Sequence, residues 1–223
     1  MKVLVIQNSP TGPAGYFGRY LVDRHAAALQ TLTPAELPGA GADAVRPDLI
    51  VVLGSARGVY DADDWIARER TFLHGAFERQ TPMVGICFGA QIIAAALGAQ
   101  VAPLDRRYNG WIANDAVVDP VWRGPWLRWH GDRFDVPNRG RELARSDGIV
   151  VAFQIDRAVG LQFHPEVDEP ILRGMIDAAS PRVRNHLDVA ALLAESKSRF
   201  RATEQARERL FDDVLARTLG SAG

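Results

Sequence analysis

The sequence predicts an α/β protein: an open, mixed but mostly parallel sheet flanked by helices, with a small antiparallel extension and a helical C-terminal appendage. Three observations predict it. Short, near-continuous apolar runs, the pattern of strands buried on both faces, recur in the first 86 residues. Stretches of helical spacing stand between and after them. Beyond residue 100 this alternation gives way to short strand-like pieces separated by turns, and from Asp168 the spacing is helical to the end.

Taken in order, "KVLVIQ" (2–7) is the first buried strand, closed by the loop "NSPTGP". "GRYLVDRHAAALQ" (18–30) has helical spacing, with Tyr20, Leu21, Ala27, Ala28 and Leu29 as its apolar members. "DLIVVLG" (48–54) is a second buried strand. The helix after it opens on acids at Asp61 to Asp64, carries Trp65, Ile66, Phe72, Leu73 and Phe77, and closes near Arg79. "PMVGI" (82–86) is a third strand, and "FGAQIIAAALG" a short helix stopped by Gly98. This succession suits an open flavodoxin-like sheet. "NDAVVD", "WLRWHGDRFDVP", "ELARS", "IVVAFQI" and "AVGLQFHP" suggest an antiparallel or mixed extension. A final helix over 199–219 carries a stripe of Phe200, Leu210, Phe211, Val214, Leu215 and Leu219. The expected organisation is one domain over 1–180, with a helical extension, 181–223, packed on it.

The composition narrows the function. With 223 residues, 47% of them hydrophobic, the chain can build one sizeable core. A formal net charge of -1 gives no basic patch for nucleic acid. A single cysteine rules out an internal disulfide framework. The start "MKVLVI" is too short an apolar run for a secretion signal, and no run of about 18 apolar residues suggests a membrane span. The expectation is a soluble cytoplasmic protein without a cofactor. His130 and Asp132, in "WHGDRF", are too few to ligate a metal, so a structural turn role is expected. His25, His74 and His186 fall on expected helices, at surface or rim positions. Trp122, Trp126 and Trp129 form an aromatic cluster, read as core packing before cleft wall.

The single cysteine, Cys87, lies in "GICFGAQ", where a buried strand passes into a helix. Gly85 and Gly89 on either side relieve backbone crowding at such a turn. The helix N-terminus favours a thiolate, and the Phe88 N–H beside it could bind a developing oxyanion. From this segment alone, an activated nucleophile and a buried structural cysteine both stand. A nucleophile needs a base and a group to orient it. "GLQFHPEV" (160–167) offers His164 and Glu166, which project to the same side at a spacing of two.

In that order, "GICFGAQ … QFHPEV" resembles the class I (triad-type) glutamine amidotransferases, closest in style to the amidotransferase part of GMP synthetase. "VVLGSARGVYD" (51–61) is similar to that family's oxyanion strand, and "WHGDRFDVP" (129–137) to its "HGD" segment. The resemblance implies that Cys87 attacks the γ-amide of glutamine, or of a γ-glutamyl compound, to form a thioester. It implies that His164 carries the proton to the leaving ammonia or amine, and that Glu166 orients His164. It assigns the oxyanion hole to Gly54, Ser55 and Phe88, and substrate contacts to Gln91, Asn109, Gly110 and Trp111. It implies no metal or cofactor, and a partner of one kind: a separate synthase subunit that accepts ammonia.

The sequence also departs from the family. Gly54-Ser55-Ala56 stands where Gly-Gly-Pro is usual, Ala90 replaces a frequent histidine, and Asn109 replaces a glutamate. These changes bear on glutamine specificity. The residues from 167 to 223 are too few to be expected to form an ATP-binding synthase region. A stand-alone γ-glutamyl peptidase is therefore a second reading, and a non-catalytic regulatory subunit retaining the fold is the third.

Overall fold

The computed structural model describes residues 1–37 and 46–220. The first half alternates strand and helix: β1 (Lys2–Ile6), α1 (Gly15–His25), β2 (Ala28–Leu32), β3 (Leu49–Val52), α2 (Asp64–Glu78), β4 (Met83–Ile86) and α3 (Phe88–Ala96). Six strands follow, β5 (Val101–Ile112), β6 (Ala116–Val117), β7 (Trp126–Phe134), β8 (Arg141–Ser146), β9 (Ile149–Ile155) and β10 (Ala158–Leu161). Four helices close the chain: α4 (Glu169–Ala178), α5 (Pro181–Arg184), α6 (Val189–Ala202) and α7 (Glu204–Leu219).

Eight strands make one sheet in the order β2-β1-β3-β4-β10-β9-β8-β6. β2, β1, β3, β4 and β10 are parallel, and β9, β8 and β6 continue antiparallel. The expected mostly parallel sheet flanked by helices is therefore present. Its strands are apolar throughout because both faces are covered. Val3 and Val5 of β1 pack on the side of α1 and α7, while Leu4 and Ile6 pack on the side of α2 and α3. The pleat sends alternate residues to opposite cores, so neither face tolerates a polar residue. β5 and β7 form a separate antiparallel ribbon, and with α4 and α6 they bury a third cluster around Leu127, Ile171, Leu172 and Leu192.

Three expectations need correction, and one strand, β5, is not among the expected elements. The helix expected over 18–30 starts earlier and stops at His25, where Ala26 turns left-handed (φ 47°). "ALQTL" then forms β2, an edge strand exposed along almost its whole length, so it lacks the apolar signature of its neighbours. β5 carries no clean alternation, because its register against β7 shifts between Pro103 and Tyr108. The helical stretch expected over 199–219 is two helices that meet at Thr203. Lastly, "AVGLQFHP" is not part of an extension: it forms β10 inside the sheet, parallel to β4, and is a strand only to Leu161, the residues after it being held by isolated bonds such as His164 N–H to Leu127 O (2.9 Å).

α7 lies against the central sheet. Leu210, Phe211, Val214 and Leu215 join the core that contains Val84, Val159 and Leu161. Arg207, 5% exposed, donates to Val167 O (3.1 Å) and Phe200 O (2.9 Å) and covers the Tyr16 ring at 4.3 Å.

Candidate active site

β4 and β10 are adjacent and parallel, with Gly85 opposite Gly160 and Ile86 opposite Leu161. Their carboxyl ends therefore open on the same edge of the sheet, where α/β proteins place their sites. Cys87 follows β4 and precedes α3 with φ 56° and ψ -112°, a backbone that side chains other than glycine adopt only when their surroundings force it. The surroundings here are tight. A Cβ on Gly85 would lie 2.5 Å from Gly89 C, and one on Gly89 would lie 2.0 Å from Val52 O. The two glycines let α3 approach the strands closely enough to make the turn. The Cys87 N–H is fixed by Leu161 O at 2.7 Å, and the thiol lies 3.7 Å from Trp129 O.

His164 is brought to this turn by the segment after β10. Its Nδ1 lies 2.7 Å from Glu166 Oε1, and both side chains are buried. Among the described residues, Nε2 is buried without a hydrogen-bond partner. Burial alone would pull the His164 pKa down. Glu166 and Cys87 outweigh it, so the value stands well above the ordinary imidazole range. Glu166 is itself braced: its carbonyl accepts from the Tyr16 N–H at 2.8 Å, and Arg207 holds the next carbonyl, that of Val167.

Gly54 faces the pair from the end of β3. A Cβ on it would lie 3.5 Å from His164 Cε1 and 3.8 Å from Cys87 Cβ. Gly54, Ser55, Cys87, His164 and Glu166 line one cavity of about 120 Å³. Its far wall comes from the Ser9–Gly12 loop and from Ile171 and Met175 of α4, none of which stood out in the sequence. Among the described residues no backbone acceptor ties up the Gly54 N–H. Phe88 opens α3, so its N–H belongs to the unpaired first turn.

The other expected contact residues lie apart from this cavity. Gln91 is 3% exposed and donates to Gln162 Oε1 (3.1 Å) inside the protein. Trp111 bonds Ser196 Oγ on α6 (2.8 Å) and meets Phe200 edge-on. Asn109 lines a neighbouring cavity with Tyr60, Arg107 and Asp132, and Gly110 adjoins it on β5 with φ 135°. Of the tryptophans, Trp122 and Trp126 are core residues, whereas Trp129 lines the cavity wall. His130 bonds Asp132 O at 2.9 Å and stacks on Tyr108; burial pushes its pKa down to about 3, so it stays neutral. His25, His74 and His186 are exposed. Among the described residues no three His, Cys, Asp or Glu side chains converge as metal ligands, and no helix is long and apolar enough to cross a membrane.

A family model described as "Glutamine amidotransferase class-I" matches residues 21–170. A glutamine-hydrolysing GMP synthase of Thermomicrobium roseum is 34% identical over 158 residues, 65% of this chain and 28% of that protein. Another, of Phenylobacterium zucineum, is 31% identical over 143 residues, 56% of this chain and 26% of that protein. The chain thus spans little more than a quarter of the length of these relatives. Among solved structures, a glutamine amidotransferase from Thermotoga maritima superposes with a TM-score of 0.84 at 24% identity, covering 99% of both chains. A structure from Thermoplasma acidophilum, named as a putative GMP synthase subunit, gives 0.59 at 19% identity, covering 92% of this chain and 98% of that one. At these identities the likeness is one of fold.

Proposed function

Because the chain belongs to the class I glutamine amidotransferase family, we propose that it hydrolyses the γ-amide of glutamine through a thioester on Cys87. The observation that carries this reading is the buried His164–Glu166 pair at 2.7 Å, with Nε2 left unpartnered in the cavity that holds the thiol. In the first step the Cys87 sulfur attacks the amide carbon, and its proton passes to His164. The carbonyl oxygen becomes an oxyanion that the N–H groups of Gly54, Ser55 and Phe88 can meet. As the tetrahedral intermediate collapses, the carbon–nitrogen bond breaks and His164 returns the proton to departing ammonia. Water then adds to the thioester with His164 as base, which releases glutamate and regenerates the thiol. Glu166 holds the imidazole in one orientation and stabilises its cation.

In this reading Gln91, Asn109, Gly110 and Trp111 shape the substrate site from behind its walls. The chemistry makes ammonia, so the partner is a synthase subunit that consumes it. A chain of like fold is named as a putative GMP synthase subunit, which suits an arrangement in trans. The family's usual Gly-Gly-Pro, here Gly54-Ser55-Ala56, favours a second substrate class, γ-glutamyl amides with a larger leaving amine.

The test is labelling by a chloroketone analogue of glutamine, read by intact mass, alongside glutamate release. One label at Cys87, slowed at least a hundredfold in His164→Ala, is expected. Hydrolysis that persists in Cys87→Ala would remove the nucleophile assignment. A folded protein in which Cys87 reacts no faster than a free thiol would favour the non-catalytic reading.

A further inference from the structure

Behind the Gly54 turn lies a polar pair that the thioester chemistry does not use. Glu69, on α2, is 0% exposed. Asn8 follows β1 and donates one amide hydrogen to Leu53 O (3.2 Å) and the other to Glu69 Oε1 (3.1 Å). Both hydrogens are then spent. Asn8 Oδ1 and Glu69 Oε2 remain, each buried without a partner. With a carboxylate, two acceptors would be left in an apolar interior with nothing to donate to them. A carboxylic acid removes the problem: its O–H can donate to Asn8 Oδ1 and close a two-bond acid–amide ring.

The charged groups nearby are engaged elsewhere. α3 carries no titratable side chain. Arg70 of α2 donates to Ala95 O, and Arg57 pairs with Asp63 (3.2 Å). Asp61 accepts from the Gly58 N–H, and Glu36 accepts from Thr33. Burial pushes the Glu69 carboxyl up to about 7, against a smaller opposing effect of Asn8.

The pair reaches the site through one peptide plane. Leu53 C=O and Gly54 N–H belong to the same rigid trans unit and point in opposite directions. Asn8 turns the carbonyl inward, which aims the N–H away from Asn8 and toward the cavity edge. We propose that Glu69, held as the neutral acid against Asn8, is a positioning residue that sets the Leu53–Gly54 peptide, and that its ionisation releases that peptide. The catalytic part of this inference rests on the reading of Gly54 as an oxyanion donor; the coupling of Glu69 to the turn does not.

The test therefore begins with a readout independent of activity. The Gly54 amide resonance is followed by NMR from pH 5 to 9 in wild type, Glu69→Gln and Asn8→Ala. In wild type it should move with a midpoint near 7. In Glu69→Gln, whose amide reproduces the donor of the neutral acid, that movement should vanish. In Asn8→Ala the resonance should be displaced at every pH. A wild-type Gly54 amide that ignores this range, or one that moves identically in Glu69→Gln, overturns the proposal. On the activity side, kcat for glutamine should fall on the order of tenfold between pH 6 and 8.5 in wild type, with KM little changed. Glu69→Gln should lose that component. Lack of hydrolysis in every variant would count against the proposed reaction, while the Gly54 titration would still decide the coupling.

Discussion

At the scale of single residues, charge decides how His164 behaves. Burial favours the neutral ring, but the Glu166 carboxylate at 2.7 Å and the neighbouring Cys87 sulfur reverse that preference. A histidine with a raised pKa stabilises the fold fully below about pH 6.5, and the contribution is lost as pH rises through the folded value. Glu166→Gln removes the main source of the rise. The His164 titration, followed by NMR of the ring protons, should then move to lower pH; an unchanged midpoint would mean that Glu166 does not set it. The position of this pair was legible in the sequence as His-Pro-Glu, because a motif so short needs no knowledge of the fold. The Asn8–Glu69 pair was not. Its members sit 61 positions apart and meet only because α2 packs on the face of the sheet that carries Leu4 and Ile6 of β1.

At the scale of elements, α7 braces the site from a distance. Arg207 spans the carbonyls of Val167 and Phe200, which joins the segment after Glu166 to the end of α6. A hydrogen bond from a charged donor contributes about 1.5–3 kcal/mol, and loss of this donor leaves buried carbonyls unpaired. Arg207→Ala should therefore lower the unfolding free energy in urea by about 2–4 kcal/mol and slow labelling of Cys87. Unchanged labelling would mean that Glu166 keeps its place without the clamp. Which elements could be read from sequence follows from burial. β1, β3, β4 and β10 are apolar on both faces and so announce themselves. β2 sits at an exposed edge, and β5 carries a bulge and the run "DRRYN", so neither presents the pattern of a strand.

At the scale of the molecule, the last helix belongs to the same core as the first strand. Leu210, Phe211, Val214 and Leu215 are all buried against the sheet, and full burial of such side chains is worth about 1.5–3 kcal/mol each. Together they approach the whole stability of a typical domain. A chain ended at Thr203 should show no cooperative unfolding transition by circular dichroism; a transition like that of the full chain would mean that α7 is dispensable. The overall class was legible because a parallel α/β sheet repeats one unit, but the course of the later strands depends on ribbon register and edge pairing, which have no repeating sequence mark. The sheet order carries a further meaning for the protein as it is made. β4 leaves the ribosome early, and its neighbour β10 much later, after the entire antiparallel portion. A nascent chain thus carries the thiol long before the imidazole that would activate it exists. On the proposed mechanism Cys87 gains its base only once β10 and His164 have been made, so a product stalled before them lacks the group that would activate the thiol.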